Sequence, residues 1–275
     1  AKETDMNMKL ARLLGALVAI VGAIGLALFA DAIVGVFELL TFKIVDPPEP
    51  RPTALAELKL VPFLGITLLG GLWICSAATG FRDNKQTLSM MGKILYIVAG
   101  GLLIVATVPM LWAMMNATYS FHVIATSASA PDLVMISDMI QSVAPTISIA
   151  CCLYVIAAVL LLVSAFVGFQ TKSPEETGSQ PVPMLTRCAV FGSLLVAIIT
   201  SLLFATLLIH ANKLGTQFDF STQPDPAGIG VQFVGIIFKS ALIFIGLGVM
   251  GLMQVLTVIL RPTATAIATT EETVD

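Results

Sequence analysis

The sequence predicts an all-α, polytopic membrane protein: six transmembrane helices arranged as three tandem helical hairpins, with helical extensions on the outer face. Three observations predict it. First, 57% of the 275 residues are hydrophobic and only 11% are charged, whereas a soluble domain carries roughly 25% charged residues. With a mean hydropathy of +0.97, the chain has too few polar side chains to cover a globular surface. Second, it holds six apolar runs of about 20 residues, the length that crosses ~30 Å of hydrocarbon as a helix. Third, the connections alternate between long and short, which divides the runs into pairs.

The first run follows Lys9 and Arg12 and stays apolar to about residue 40, too long for the h-region of a signal peptide, and no A-x-A-like cleavage site follows it closely. It is expected to be a retained transmembrane helix. The six cores fall at 13–32, 61–81, 94–113, 146–166, 188–207 and 241–260. Long connections cover 33–60, 114–145 and 208–240. Short polar ones read "RDNKQTLSMMG" and "QTKSPEETGSQPVPMLT". The expected organisation is a single integral membrane domain over 1–275, with hairpins at 8–81, 90–169 and 184–260 and a polar tail at 261–275.

The hairpins read as internal repeats. The odd helices open with a methionine shortly before one basic residue (Arg12, Lys93, Arg187), followed by an apolar run. The even helices align so that Lys59, Gln141 and Lys239 fall in one column. Three hairpins in nearly 300 residues resemble the layout of mitochondrial carriers. The resemblance ends there: "ELLTFKIVDPPEP", "NATYSFHVIATS" and "HANKLGTQFDFS" stand where that family shows Pro-x-Asp/Glu-x-x-Lys/Arg.

Orientation follows from basic residues near span ends. With the N-terminus inside, the inner side carries Lys2, Lys9, Arg12, Arg82, Lys85, Lys93, Lys172, Arg187 and Arg261. The outer side carries Lys43, Arg51, Lys59, Lys213 and Lys239. This bias predicts both termini in the cytoplasm, in a bacterial cytoplasmic membrane. The outer connections keep helical character: in "PDLVMISDMIQSVA", Leu133, Ile136, Ile140 and Val143 recur at helical spacing. The tips "DPPEPRP" and "STQPDPAG" read as turns.

Lys239 interrupts an otherwise apolar run. It stands 22 residues before Arg261, about 33 Å along a helix, so both cannot be deep in the bilayer. Lys59, Gln141 and Lys239 are therefore expected to be outer-interface anchors, their stems lying along apolar surface. Asp31 is the candidate functional carboxylate. It ends a four-residue stripe of Gly15, Ala19, Ala23 and Ala27, small residues that let helix backbones approach. A second stripe joins Thr67, Gly71, Cys75 and Thr79, and "GLGVMG" places Gly246, Gly248 and Gly251 on the last span, before Gln254. Pro109 is expected to kink the third span.

Cys75, Cys151, Cys152 and Cys188 match no zinc or disulfide framework, and the adjacent pair reads as small packing residues. His122 and His210 are weak candidates for a bis-histidine haem. Asn116-Ala-Thr118 is a glycosylation sequon only in a secretory pathway. G-x-S-x-G, Walker and H-E-x-x-H patterns are absent from the sequence. No catalytic residue, metal or cofactor is expected beyond bound lipid, and no basic block points to nucleic acid. These features predict a non-enzymatic structural or accessory subunit of a larger membrane assembly, in contact with other membrane subunits. The rival is a channel or transporter for a small uncharged solute, its path lined by Ser, Thr and Gln254. A haem-binding electron-transfer subunit is the weaker alternative.

Overall fold

A computed structural model describes residues 2–28, 60–80, 86–126, 133–167, 169–171, 184–217 and 226–260. Among these, six helices and one short strand pair make up the regular structure. In chain order they are α1 (Lys2–Leu28), α2 (Leu60–Gly80), β1 (Gln86–Leu88), α3 (Met90–Thr126), α4 (Leu133–Val167), β2 (Phe169–Thr171), α5 (Met184–Gln217) and α6 (Pro226–Ile259).

Five helices are long and apolar enough to cross a membrane, over Asn7–Leu28, Met90–Asn116, Pro145–Phe166, Met184–Leu203 and Phe238–Ile259. The apolar stretch of α2, Phe63–Thr79, is shorter. The helices are apolar on their outer faces as well as inside. Large apolar side chains such as Val21, Val108, Ile149, Phe191 and Leu202 are exposed, while the interior of α1 is built from Ala16, Ala19 and Ala23. Such an exterior suits lipid contact, and small inward residues let helix axes close up.

β1 and β2 form an antiparallel ladder in which Gln86 pairs with Thr171, Thr87 with Gln170 and Leu88 with Phe169. The sequence expectation for these segments was plain polar linkers. The ladder fixes one end of the bundle, called here the strand end. The C-termini of α2 and α4 and the N-terminus of α3 lie beside it.

α1 packs on α2, α3 on α4, and α5 on α6. Each odd helix also packs on the even helix of another pair: α1 on α4, α3 on α6, and α5 on α2. The even helices meet between them. The rings of Tyr154 on α4 and Phe244 on α6 stack at 6.4 Å and 14°, and Gln254 on α6 reaches the backbone of α2.

Close approach explains the glycines at two of these contacts. A Cβ on Gly71 would run into the backbone nitrogen of Ala19 and lie 2.6 Å from the Gly15 carbonyl. Gly100 and Gly251 face each other across α3 and α6, each with the space for a Cβ filled by the other's carbonyl oxygen, at 2.8 and 2.6 Å.

α3 to α6 contain 37, 35, 34 and 34 residues. Pro109 and Pro145 lie inside α3 and α4, and both helices continue through them. Membrane helices tolerate proline because neighbouring groups satisfy the freed carbonyl.

Candidate functional site

The polar residues of the interior concentrate toward the strand end. Arg12 is the single charged side chain buried among the described residues, at 1% exposure. The sequence treated it as a flanking basic residue at the membrane surface, equivalent to Lys93 and Arg187. The three occupy different environments: Arg12 is buried, Lys93 half-buried and Arg187 exposed. The reason is helical phase. Arg12 stands three and four residues before Gly15 and Ala16, on the face that α1 turns to its neighbours.

The Arg12 guanidinium donates through Nη2 to the Ala78 carbonyl at 3.1 Å. Ala78 lies in the last turn of α2, where carbonyls lack intrahelical donors and where the helix dipole favours a cation. Arg12 therefore ties α1 to the end of α2. One turn earlier, the Cys75 thiol donates to the Arg12 carbonyl at 3.7 Å.

The same level of α2 meets α3. Tyr96 donates its hydroxyl to the Cys75 carbonyl at 2.9 Å. The Thr79 hydroxyl stands 2.7 Å from that carbonyl and 2.8 Å from the Tyr96 oxygen. The three groups close a triangle that joins α2 to α3 in a buried interior, where a lone hydroxyl is costly. On α4, Ser164 donates to the Gly92 carbonyl of α3 at 3.2 Å.

α6 contributes Gln254, fully buried, whose Nε2 donates to the Leu72 carbonyl at 3.2 Å. Its Oε1 has no hydrogen-bond partner among the described residues, and the same holds for Ser76 Oγ on α2 and Thr186 Oγ1 on α5. All three residues have 0% exposure.

Most other hydroxyls are turned onto their own helices. Thr67 donates to Phe63, Thr200 to Val196, Thr257 to Met253 and Ser193 to Val190, each at 2.7 Å. Thr107 donates to the Leu103 carbonyl at 3.0 Å and lies 3.3 Å from that of Phe244. Back-bonding of this kind lets a hydroxyl sit in an apolar interior without another partner.

The residues singled out from sequence are placed as follows. Gly15, Ala19 and Ala23 are buried and Ala27 half-buried on α1. Gly246 and Gly251 are buried on α6, and Gly248, half-buried, abuts Thr107, with its Cβ position 2.6 Å from Oγ1. Cys75 and Cys151 are buried, whereas Cys152 and Cys188 are exposed, so the adjacent cysteines do not share one packing role. Lys239 is half-buried, twenty residues before the end of α6 at Ile259. His122, Gln141 and His210 lie on α3, α4 and α5, with side chains outside the described residues. Asp31, Lys59 and the tail 261–275 also lie outside them. Among the described residues, no group of three or more His, Cys, Asp or Glu side chains converges.

The sequence reading missed Arg12, Tyr96 and Ser76 as members of one polar layer. It also missed Gly22, whose Cβ would lie 2.8 Å from the Leu64 carbonyl, and Gly100. Comparison with family models, with curated proteins and with solved structures found no match to the chain.

Proposed function

We propose that this chain is a non-enzymatic structural or accessory subunit of a larger membrane assembly, built from three hairpins that span the bilayer six times. The observation that carries the reading is helix length. α3 to α6 have 34 to 37 residues, or about 51–56 Å at ~1.5 Å per residue. Confining a 51 Å helix to ~30 Å of hydrocarbon would need a tilt of about 54°, beyond the usual range of roughly 0–40°. The helices therefore project from the bilayer, at the end opposite the strands for segments such as 204–217 and 226–237.

The projecting sequences include "FATLLIHANKL" and "PAGIGVQFVGII". Apolar helices standing above a membrane need a surface to pack against. The protein partner supplies it in this reading. The cyclic packing of odd on even helices supports treating the hairpins as repeats, and the basic-residue bias supports cytoplasmic termini.

Extraction from native membranes in mild detergent tests the proposal. The expected particle is larger than the 29.0 kDa chain and contains a second polypeptide that crosslinks to it in the membrane. A monodisperse monomer, with no partner recovered by crosslinking, would sink it.

A second reading, a channel or transporter for a small uncharged solute, draws on the polar layer at the strand end. It is weakened by the hydroxyls that face their own helices and by the apolar residues, such as Leu68, Met110 and Ile147, that fill the rest of the interior. Flux in proteoliposomes decides between them, since the accessory subunit alone gives none.

A further inference from the structure

We propose that Ser76 and Gln254 form a buried binding site for one small neutral molecule carrying both a hydrogen-bond donor and an acceptor. The two come from α2 and α6, which pack on each other. Each lies near the strand end of its helix: Ser76 four residues before Gly80 and Gln254 five before Ile259.

The Gln254 contact fixes the level. Its Nε2 lies 3.2 Å from the Leu72 carbonyl oxygen. In an α-helix that oxygen is the acceptor for the N–H four residues on, which belongs to Ser76. The carboxamide of Gln254 thus stands beside the backbone of Ser76. Yet Gln254 Oε1 and Ser76 Oγ bond neither to each other nor to another described residue. Both side chains are fully buried.

Buried polar groups left without partners are uncommon, and internal waters typically satisfy about three of them together. The chemistry of the set defines the occupant. Gln254 Oε1 can only accept, so the guest must donate. The Ser76 hydroxyl can do either, so the guest can also accept. No charge is called for. Solvent water and a small hydroxyl-bearing solute share this chemistry. The site needs neither functional reading above, because it rests on these side chains alone.

Solid-state NMR on the full chain in liposomes tests it, with glutamine, serine and leucine side chains labelled, Gln254 assigned by its loss in Gln254→Leu and Ser76 by its loss in Ser76→Ala. Magnetisation from water is expected to reach the Gln254 carboxamide and Ser76 Cβ several-fold faster than Leu103, which is equally buried. Glycerol is the solute probe. A glycerol-dependent shift of Gln254 with slower water transfer supports the site with a solute as guest, and unchanged fast transfer supports it with water as guest. Transfer to both residues as slow as to Leu103, with no response to glycerol, would overturn the proposal. Ser76 read in the unmodified protein keeps the test valid if Gln254→Leu fails to fold.

Discussion

Gly70 and Gly71 are neighbours in sequence with opposite surroundings. Nothing lies within 4 Å of a Cβ placed on Gly70, whereas on Gly71 it would strike the backbone of α1. Backbone cannot move aside as a flexible side chain can, so overpacking here should cost about 1–3 kcal/mol. Gly71→Ala is therefore expected to lower the thermal unfolding midpoint in detergent, while Gly70→Ala leaves it unchanged or slightly raised. Tyr96→Phe removes one corner of the Tyr96–Thr79–Cys75 triangle. It should destabilise by about 0.5–1.5 kcal/mol, and Thr79→Val combined with it should cost less than the sum of the two single changes, measured by a double-mutant cycle. The small residues of α1 could be picked out from sequence because four-residue spacing is a local property. Arg12 was misread because its distance along the chain gives depth but not facing. Its phase with Gly15 and Ala19 was the available signal. Ser76 and Tyr96 carried no such signal, since their partners are set by which helices become neighbours.

The helices were readable as elements because apolar runs of this length have few alternatives. Their full extent was harder to read, because residues beyond a bilayer crossing follow no hydropathy rule. Pro145 ends the connection 114–145 of the sequence reading and lies inside α4. The strand pair was missed altogether. Two three-residue segments in or beside the polar linkers, far apart in sequence, show no periodicity that could announce pairing. Its register makes a sharp prediction. Thr87 stands opposite Gln170, so Thr87→Cys with Gln170→Cys, in a background lacking the four native cysteines, should crosslink readily under mild oxidation. Thr87→Cys with Val105→Cys, which stands 15 residues into α3 and so about 22 Å along it, serves as the comparison and should stay reduced. Gel mobility after oxidation checks both, and equal crosslinking of the two pairs would contradict the ladder. At the α3–α6 contact, Gly251→Val should destabilise by at least as much as Gly71→Ala, because its Cβ position lies 2.6 Å from the Gly100 carbonyl and 2.8 Å from the Leu103 Cβ. Thermal midpoints of the two variants give the comparison.

At the scale of the whole molecule, the proposed function has lipid and protein act on different parts of the same helices. Mid-span positions such as Val105 and Ile198 are exposed and suit the bilayer, while in the proposed function the outer turns of α4 and α5 project past it. The central claim is that those projecting turns meet another polypeptide. Site-specific photo-crosslinking in native membranes tests it most directly, with the probe at Ile136 on α4 or Leu208 on α5, and at Val105 or Ile198 as lipid-facing controls. The account predicts discrete adducts with one and the same second polypeptide from Ile136 and Leu208, and none from Val105 or Ile198. Adducts confined to lipid at all four positions, in membranes where the chain is folded and abundant, would contradict it.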